Sequence, residues 1–242
     1  MESFNDIPEQ KKYYDNYWSR RDFHLNRHEL YRLSEIIKAF SHFELTQKNT
    51  GVSICDLGCG LGWLSNELTK FGKVYGVDLS EEGVTLAEKR WPAVEKFEAQ
   101  DILKWDPKEK FNIVVSSEVI EHIQDKTMFM STIDRILEQD GYLILTTPNG
   151  KVKQAWDEGK QGAQLIEEWA TPVELRDLVE GKMNVIYHST FLNDFAYNRV
   201  FRVLSAPKAL KLIEFLGLMP IYDGVRDCLK IGLYQIIVAK KK

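Results

Sequence analysis

Residues Asp56 to Gly62, reading Asp-Leu-Gly-Cys-Gly-Leu-Gly, set a carboxylate ahead of three alternating glycines. Glycine carries no Cβ and takes backbone angles closed to other residues, so a charged small molecule can lie against the main chain at Gly58, Gly60 and Gly62. The dinucleotide pattern G-x-G-x-x-G would need glycine at position 63, where Trp63 stands. About twenty residues further on, Asp78 closes an apolar run, where a carboxylate can accept hydrogen bonds from both hydroxyls of a ribose. Its plainer role would be to cap the helix starting near Glu81, which Ser80 can do equally. A third group is Glu118-Val119-Ile120-Glu121-His122. On a helical turn its two carboxylates and its imidazole stand at i, i+3 and i+4 and face the same way. Such a set can orient a ligand, take a proton through His122 as general base, or hold Mg²⁺, Mn²⁺ or Zn²⁺.

These groups need strands that end at one edge, and the pattern supplies them. From Val52 onward β-rich runs alternate with helical ones, which predicts strands over 53–57, 73–78, 94–99, 111–116 and 141–146 and helices over 61–71, 81–90 and 126–137. Alternation of this kind implies right-handed crossovers and a parallel sheet covered on both faces. Asp140-Gly141 reads as the stop between the last of these helices and its strand. Thr171 as N-cap and Pro172 at the first helical position open another helix to about Val179, ended by Gly181. Strands are expected again at 183–188 and 233–239. Upstream, 9–43 is helical by the spacing of Leu30, Leu33, Ile36, Ile37 and Phe40. Between the last two strands, Phe195, Val200, Phe201, Leu204, Leu210, Ile213 and Leu216 suggest two amphipathic helices. The expectation is one α/β domain over 1–242: a helical cap (1–45), a core (52–150) and a helical insertion (191–230) before the last strand.

The D-x-G-x-G-x-G turn, Asp78, Asp101-Ile102 after the third strand and 111–118 on the fourth resemble, in order, the class I S-adenosylmethionine-dependent methyltransferases of small-molecule type. The resemblance covers roughly 52–149 well. It implies a Rossmann-like seven-stranded sheet, mostly parallel with an antiparallel last strand, and S-adenosylmethionine as cofactor with S-adenosylhomocysteine as product. It implies that Asp56 steadies the turn and the cofactor's amino group, and that Asp101 accepts from the adenine amino group while Ile102 packs on the ring. Leu79 would cover the other face, and Ser117 and Glu118 would lie near the sulfonium. The fourth strand departs from the family in carrying Asn112 where an aspartate is usual, which keeps the hydrogen bonds and loses the charge. Tyr13-Tyr14-Asp15-Asn16-Tyr17-Trp18 resembles the aromatic lid of small-molecule members, in which a tyrosine, here Tyr14, reaches the cofactor carboxylate; it reads equally as an apolar staple for the cap helix. The E-x-x-E-H segment resembles that of ubiquinone-pathway O-methyltransferases and small-RNA 2′-O-methyltransferases, where the residues matching Glu118, Glu121 and His122 bind a divalent cation. The RNA enzymes use a further histidine after the fifth strand, and 161–169 has none.

Composition narrows the classes. The chain has 242 residues and a formal net charge of −4, against the basic excess of a nonspecific nucleic-acid binder. Cys55, Cys59 and Cys228 are odd in number, and two lie in the glycine turn. They read as reduced thiols, which with the lack of an apolar leader or span predicts a cytoplasmic protein. Basic residues from Arg199 to Lys242 outnumber acidic ones, which is either a solvated face or a contact for an anionic acceptor or membrane surface. The function expected is methyl transfer to a small-molecule acceptor at oxygen, with the loop 150–170, including Trp156, Gln164, Glu167 and Trp169, and the insertion forming its pocket. The alternatives are an RNA or membrane-bound isoprenoid acceptor, or a cofactor-binding partner protein without catalysis. His188 reads as structural, and the oligomeric state is open.

Overall fold

The computed structural model describes residues 7–21, 25–45, 51–152, 167–192 and 206–242. Its centre is a seven-stranded sheet in the order β3-β2-β1-β4-β5-β7-β6. The strands are β1 (Ser53–Leu57), β2 (Lys73–Asp78), β3 (Lys96–Ala99), β4 (Phe111–Ser117), β5 (Leu137–Pro148), β6 (Met183–Phe191) and β7 (Tyr234–Lys241). β1 to β5 run parallel, and β7 pairs antiparallel with both β5 and β6. The helices are α1 (Ile7–Ser19), α2 (Arg27–His42), α3 (Trp63–Leu68), α4 (Glu81–Arg90), α5 (Lys126–Ile136), α6 (Pro172–Glu180), α7 (Pro207–Phe215) and α8 (Met219–Leu229).

Successive residues of each central strand enter different core layers, as the two-residue period of a strand requires. Ile54, Ile113, Val115, Ile144 and Val238 pack with Ile36 and Phe40 of α2, Leu64 and Leu68 of α3 and Ala87 of α4. Cys55, Leu57, Val114, Leu143 and Ile237 pack with Phe129 and Ile133 of α5 and Leu175 and Val179 of α6. A sheet buried on both faces explains why its strands read as continuous apolar runs.

Local signals place the helix starts. Ser80 caps α4 by accepting from Gly83 N at 3.0 Å, so Asp78 is not needed as the cap. Thr171 and Glu174 form a capping box at α6, with Pro172 in the first turn, and Asn26 and Glu29 do the same at α2. Asn112 Oδ1 accepts from Ser53 N at 2.9 Å and Ser53 Oγ at 3.1 Å, so the amide ties β4 to β1 without a charge.

Three expectations are corrected. Asp140-Gly141 does not end α5; the helix stops at Ile136 and β5 begins at Leu137. Asp140, at φ +65°, lies within a bulge that lets Leu137 pair with Phe111 and Tyr142 with Ile113. α3 is shorter than 61–71: Leu61 and Gly62 belong to the glycine turn, and the helix ends at Leu68. Leu30 is exposed, and the inner face of α2 instead carries Glu29, Ile36, Ala39 and Phe40. Two helices stand in the insertion, whereas Phe195, Val200, Phe201, Leu204, Trp156 and Gln164 lie outside the described residues. Among the described residues no helix is long and apolar enough to cross a membrane.

The parallel strands end along one edge at Leu57, Asp78, Ala99, Ser117 and Pro148. β7 starts there, Tyr234 pairing with Pro148 on one side and Phe191 on the other. α1 and α2 bring their side chains to the same edge.

Candidate active site

A cavity of about 760 Å³ opens at this edge, lined by Tyr14, Gly58, Asp78, Asp101, Glu118 and His122 among others. A smaller recess of about 140 Å³ adjoins it, bounded by Tyr14, Trp18, Arg32, Asp56, Ser117 and Glu118. Gly58 shapes the floor. At φ +86° it turns its N–H onto Val77 O at 2.7 Å, and a Cβ there would sit 2.2 Å from Val119 Cγ2. Gly60 and Gly62 were expected to face a ligand, yet their missing Cβ atoms make room for Trp18 and Phe97, whose rings would stand 2.5 Å and 2.7 Å from them. Gly58→Ala combines a left-handed conformation with that overlap and should lower unfolding stability by about 2–4 kcal/mol in urea titration. A loss under about 1 kcal/mol would mean that Val119 yields freely.

Two buried aspartates brace the turn. Asp56 Oδ2 accepts from Ser65 Oγ at 2.6 Å, which locks α3 onto β1. Burial pushes its carboxyl up from 3.8 to about 7, partly opposed by the Ser65 hydrogen bond. A raised folded pKa means that this group's contribution to stability is full below pH 3.8 and is lost as pH rises through 7. Asp56→Asn keeps an acceptor for Ser65 and cannot ionise, so its melting temperature should fall less than the parent's between pH 5 and pH 8 (about the window of the shift). Parallel curves for the two proteins would rule this account out. Asp78 Oδ2 accepts from Gly60 N at 2.8 Å and Oδ1 from Ser80 N at 2.9 Å. Burial raises its pKa and these N–H groups oppose the rise. Each oxygen keeps a lone pair for a ligand hydroxyl.

α1 covers the turn from outside. Asp15 accepts from Ser80 Oγ at 2.5 Å, and Lys11 pairs with Glu81, so the helix is fastened to the start of α4. Tyr14 and Trp18 share its inner face, and the buried Trp18 Nε1 finds no hydrogen-bond acceptor among the described residues. Tyr14 is raised by burial and by the charges of Asp78 and Glu121.

At the end of β4, Glu118 takes φ +60°, and Ile120–His122 is a 3₁₀ turn rather than the α-helical turn expected. The side chains therefore part company. Glu118 Oε2 lies 3.6 Å from Arg32 Nη1, and its Oε1 is 3.4 Å from Thr146 Oγ1. Glu121 Oε2 accepts from Thr147 Oγ1 at 2.9 Å, and its Oε1 stands 3.8 Å from His122 Nε2. Among the described residues no three His, Cys, Asp or Glu side chains are gathered to hold a metal ion. The metal set Glu118, Glu121 and His122 is thus not assembled, because the left-handed kink at Glu118 sends its carboxylate to Arg32. Burial raises the pKa of Glu118 and of Glu121; Arg32 opposes this in both.

Other expected residues fall into place around the cavity. Leu79, Asp101 and Ile102 line it, Asp101 Oδ1 also accepting from Leu103 N at 3.1 Å. Ser117 shares a hydrogen bond with Thr146 Oγ1 at 2.9 Å and borders the smaller recess. Of the loop after β5, Glu168 reaches the cavity wall. His188 is hydrogen-bonded to Gln235 at 3.2 Å and held down to about 4 by burial, in keeping with a structural role.

Arg32 escaped the sequence reading. Its guanidinium lies 5.3 Å over the Tyr234 ring, its side chain is 12% exposed, and its Nε has no hydrogen-bond partner among the described residues. The signal was available, since Glu29 and Arg32 continue the i, i+3, i+7 row that ends in Ile36, a charged pair on an inward helix face.

A glycine cradle, a paired-off but unsaturated Asp78 and an orphaned Arg32 Nε suit an adenosine-bearing amino acid. The methyltransferase-domain family matches residues 17–205, well over half of the chain, and the chain belongs to that family, in its class I, S-adenosylmethionine-dependent form. Among curated relatives it is similar to the ubiquinone biosynthesis O-methyltransferase of Bradyrhizobium diazoefficiens, 30% identical over 124 residues, 49% of this chain and 48% of that protein. Its counterpart in Rhodopseudomonas palustris strain BisB5 is 28% identical over 148 residues, 54% of this chain and 58% of that protein. The chain thus spans about half the length of these relatives. In fold it is similar to an N-methyltransferase of Bradyrhizobium japonicum WM9 in complex with S-adenosyl-L-homocysteine (TM-score 0.65, 11% identity, 96% of this chain and 98% of that one). It is also similar to the magnesium protoporphyrin IX methyltransferase of Synechocystis PCC 6803 with bound S-adenosylmethionine (TM-score 0.63, 15% identity, 100% of both chains).

Proposed function

We propose that this protein transfers a methyl group from S-adenosylmethionine to an oxygen of a small-molecule acceptor. The observation that carries the reading is His122 at the wall of the cavity that also holds Gly58, Asp78 and Asp101, with the buried Glu121 carboxylate 3.8 Å from its Nε2. The bound cofactor supplies an electrophilic methyl carbon on a sulfonium. The chain's residues do the rest: they hold the nucleophile in line, exclude water and take its proton. Gly58, Asp78, Leu79, Asp101 and Ile102 would hold the adenosine half. Asp56, Tyr14, Ser117, Glu118 and Arg32 would surround the amino-acid half, Arg32 offering its free Nε to the carboxylate. His122 would accept the acceptor's proton, with Glu121 stabilising the imidazolium. No step is routed through a metal, since the described residues do not form a ligand set. The names of the ubiquinone-pathway relatives support oxygen as the methylated atom.

The test is to incubate the protein with methyl-labelled cofactor and an extract of its own cells. Label in the organic-extractable small-molecule pool is the expected result; label in RNA or protein would overturn the acceptor class. Arg32→Met, which keeps the packing on Tyr234, should raise the cofactor Kd by about 10–100-fold, the worth of one hydrogen bond to a charged group. Titration calorimetry with S-adenosylhomocysteine reads this directly, and an unchanged Kd would confine Arg32 to holding Glu118.

A further inference from the structure

We propose that Asp15 is a positioning residue: through its grip on the start of α4 it sets α1, and with it the aromatic wall of the cavity, over the bound cofactor. The inference rests on the reading of the cavity as a cofactor site. α1 carries no buried residue, so the burial of an apolar face does not fix its place as it does for α2. Two rows of side chains at helical spacing divide the work. Lys11, Asp15 and Trp18 stand at i, i+4 and i+7 and meet α4 and the glycine turn. Lys11 pairs with Glu81, and Asp15 accepts from Ser80 Oγ at 2.5 Å and from Glu82 N at 3.2 Å. The Trp18 ring fills the room left by Gly60 and Gly83, where a Cβ would sit 2.5 Å and 3.0 Å from it. Ile7, Gln10, Tyr14 and Trp18, at i, i+3, i+7 and i+11, line the cavity. One helix carries both rows and Trp18 belongs to both, so fixing the first row aims the second.

Magnitudes single out Asp15 among these contacts. Lys11 and Glu81 form an ion pair open to water, of the kind that contributes little. Asp15 is half-buried and accepts two hydrogen bonds, one of them from the hydroxyl of the fully buried Ser80, and bonds to an ionised acceptor are among the stronger ones. The other donor, Glu82 N, lies in the first turn of α4, where an N–H has no acceptor within its own helix and a negative charge is favoured. α4 thus takes a cap from α1 in addition to its own Ser80, whose Oγ accepts from Gly83 N while donating to Asp15. The same Ser80 donates its N–H to Asp78 Oδ1 at 2.9 Å. A single residue therefore joins the helix that covers the cavity to the carboxylate assigned to the ribose.

Three measurements on the full chain test this: calorimetry with S-adenosylhomocysteine, melting curves without it, and ligand-free digestion by trypsin, which cuts after the exposed Lys12 and Arg20. Asp15→Ala should raise the Kd by about tenfold, the worth of one hydrogen bond to a charged group. Its ligand-free melting temperature should stay within about 2 °C of the parent's, because α1 holds none of the core. Cleavage in α1 should speed up about tenfold, since local opening of that helix becomes easier by the same amount. Asp15→Asn keeps an acceptor for both donors and should bring the Kd back to within about threefold of the parent's, while Lys11→Ala should leave it within about twofold. The proposal is overturned if Asp15→Ala binds S-adenosylhomocysteine as tightly as the parent, if its melting temperature falls in step with its affinity, or if Asp15→Asn fails to restore binding. A parent whose α1 resists trypsin but which binds no S-adenosylhomocysteine overturns the cofactor reading instead, and the role given to Asp15 with it; the digestion uses no ligand and so tells the two failures apart.

Discussion

Replacing His122 with alanine should lower kcat by about two to four orders of magnitude, the usual contribution of a positioned proton acceptor. Three observations set that expectation. His122 lines the cavity at the carboxyl edge of the sheet, next to Glu118 and Val119 and opposite the Tyr14 ring at 6.4 Å. Glu121 stands behind it at 3.8 Å, and Thr147 holds the far oxygen of that carboxylate, so the pair has a fixed direction. An imidazole that becomes charged during proton transfer gains most from a carboxylate in such a water-poor position. The loss should fall on kcat, with the Kd for S-adenosylhomocysteine within about twofold, because the contact is made to the acceptor. Glu121→Gln keeps the Thr147 hydrogen bond while removing the charge, and should lower kcat by a smaller factor with KM unchanged. If His122→Ala retains full kcat, the imidazole is only wall, and the acceptor must arrive already ionised or find another base.

Much of this site was legible because its determinants are local. The glycine turn and the carboxylates that end strands sit within a few residues of the strand signals that place them, and β1, β2 and α4 begin and end where the pattern put them. Asp78, Asp101 and Ile102 follow from that placement. What was missed depends on distant segments or on single torsions. Arg32 becomes part of the site only when Tyr234, from the other end of the chain, covers its guanidinium. The E-x-x-E-H segment misled because side-chain spacing predicts a shared face only if the backbone is helical. Glu118, in the left-handed region, breaks that condition, and no pattern of residue types announces it. Likewise Gly60 and Gly62 were assigned to a ligand, whereas Trp18 and Phe97 claim the space. Glycine marks close approach, and the sequence does not say of what.

Asp78→Ala should separate cofactor binding from folding more cleanly than any other change in the cavity. On the binding side, a carboxylate that meets both ribose hydroxyls supplies two charge-assisted hydrogen bonds, and losing them should raise the cofactor Kd by about a hundredfold or more. On the folding side two effects oppose each other. Removing Asp78, which lines the cavity, strips acceptors from the N–H groups of the buried Gly60 and Ser80, and water entering the space that the side chain leaves can take its place. It also removes a carboxylate whose pKa burial has raised. A raised folded pKa makes the ionised form a cost to the fold, with the contribution present below the ordinary aspartate range and lost as pH rises through the raised value, so at neutral pH its deletion returns part of what the hydrogen bonds gave. The melting temperature without cofactor should therefore shift by only a few degrees, about the effect of 1 kcal/mol in a domain of this size. The same variant should lose nearly all of the thermal stabilisation that S-adenosylhomocysteine gives the parent, since that term follows the ratio of ligand concentration to Kd. Melting curves with and without ligand, read beside calorimetric Kd values, distinguish the two roles: a large fall in the ligand-free melting temperature with affinity retained in the folded fraction would make Asp78 a brace for the glycine turn and nothing more.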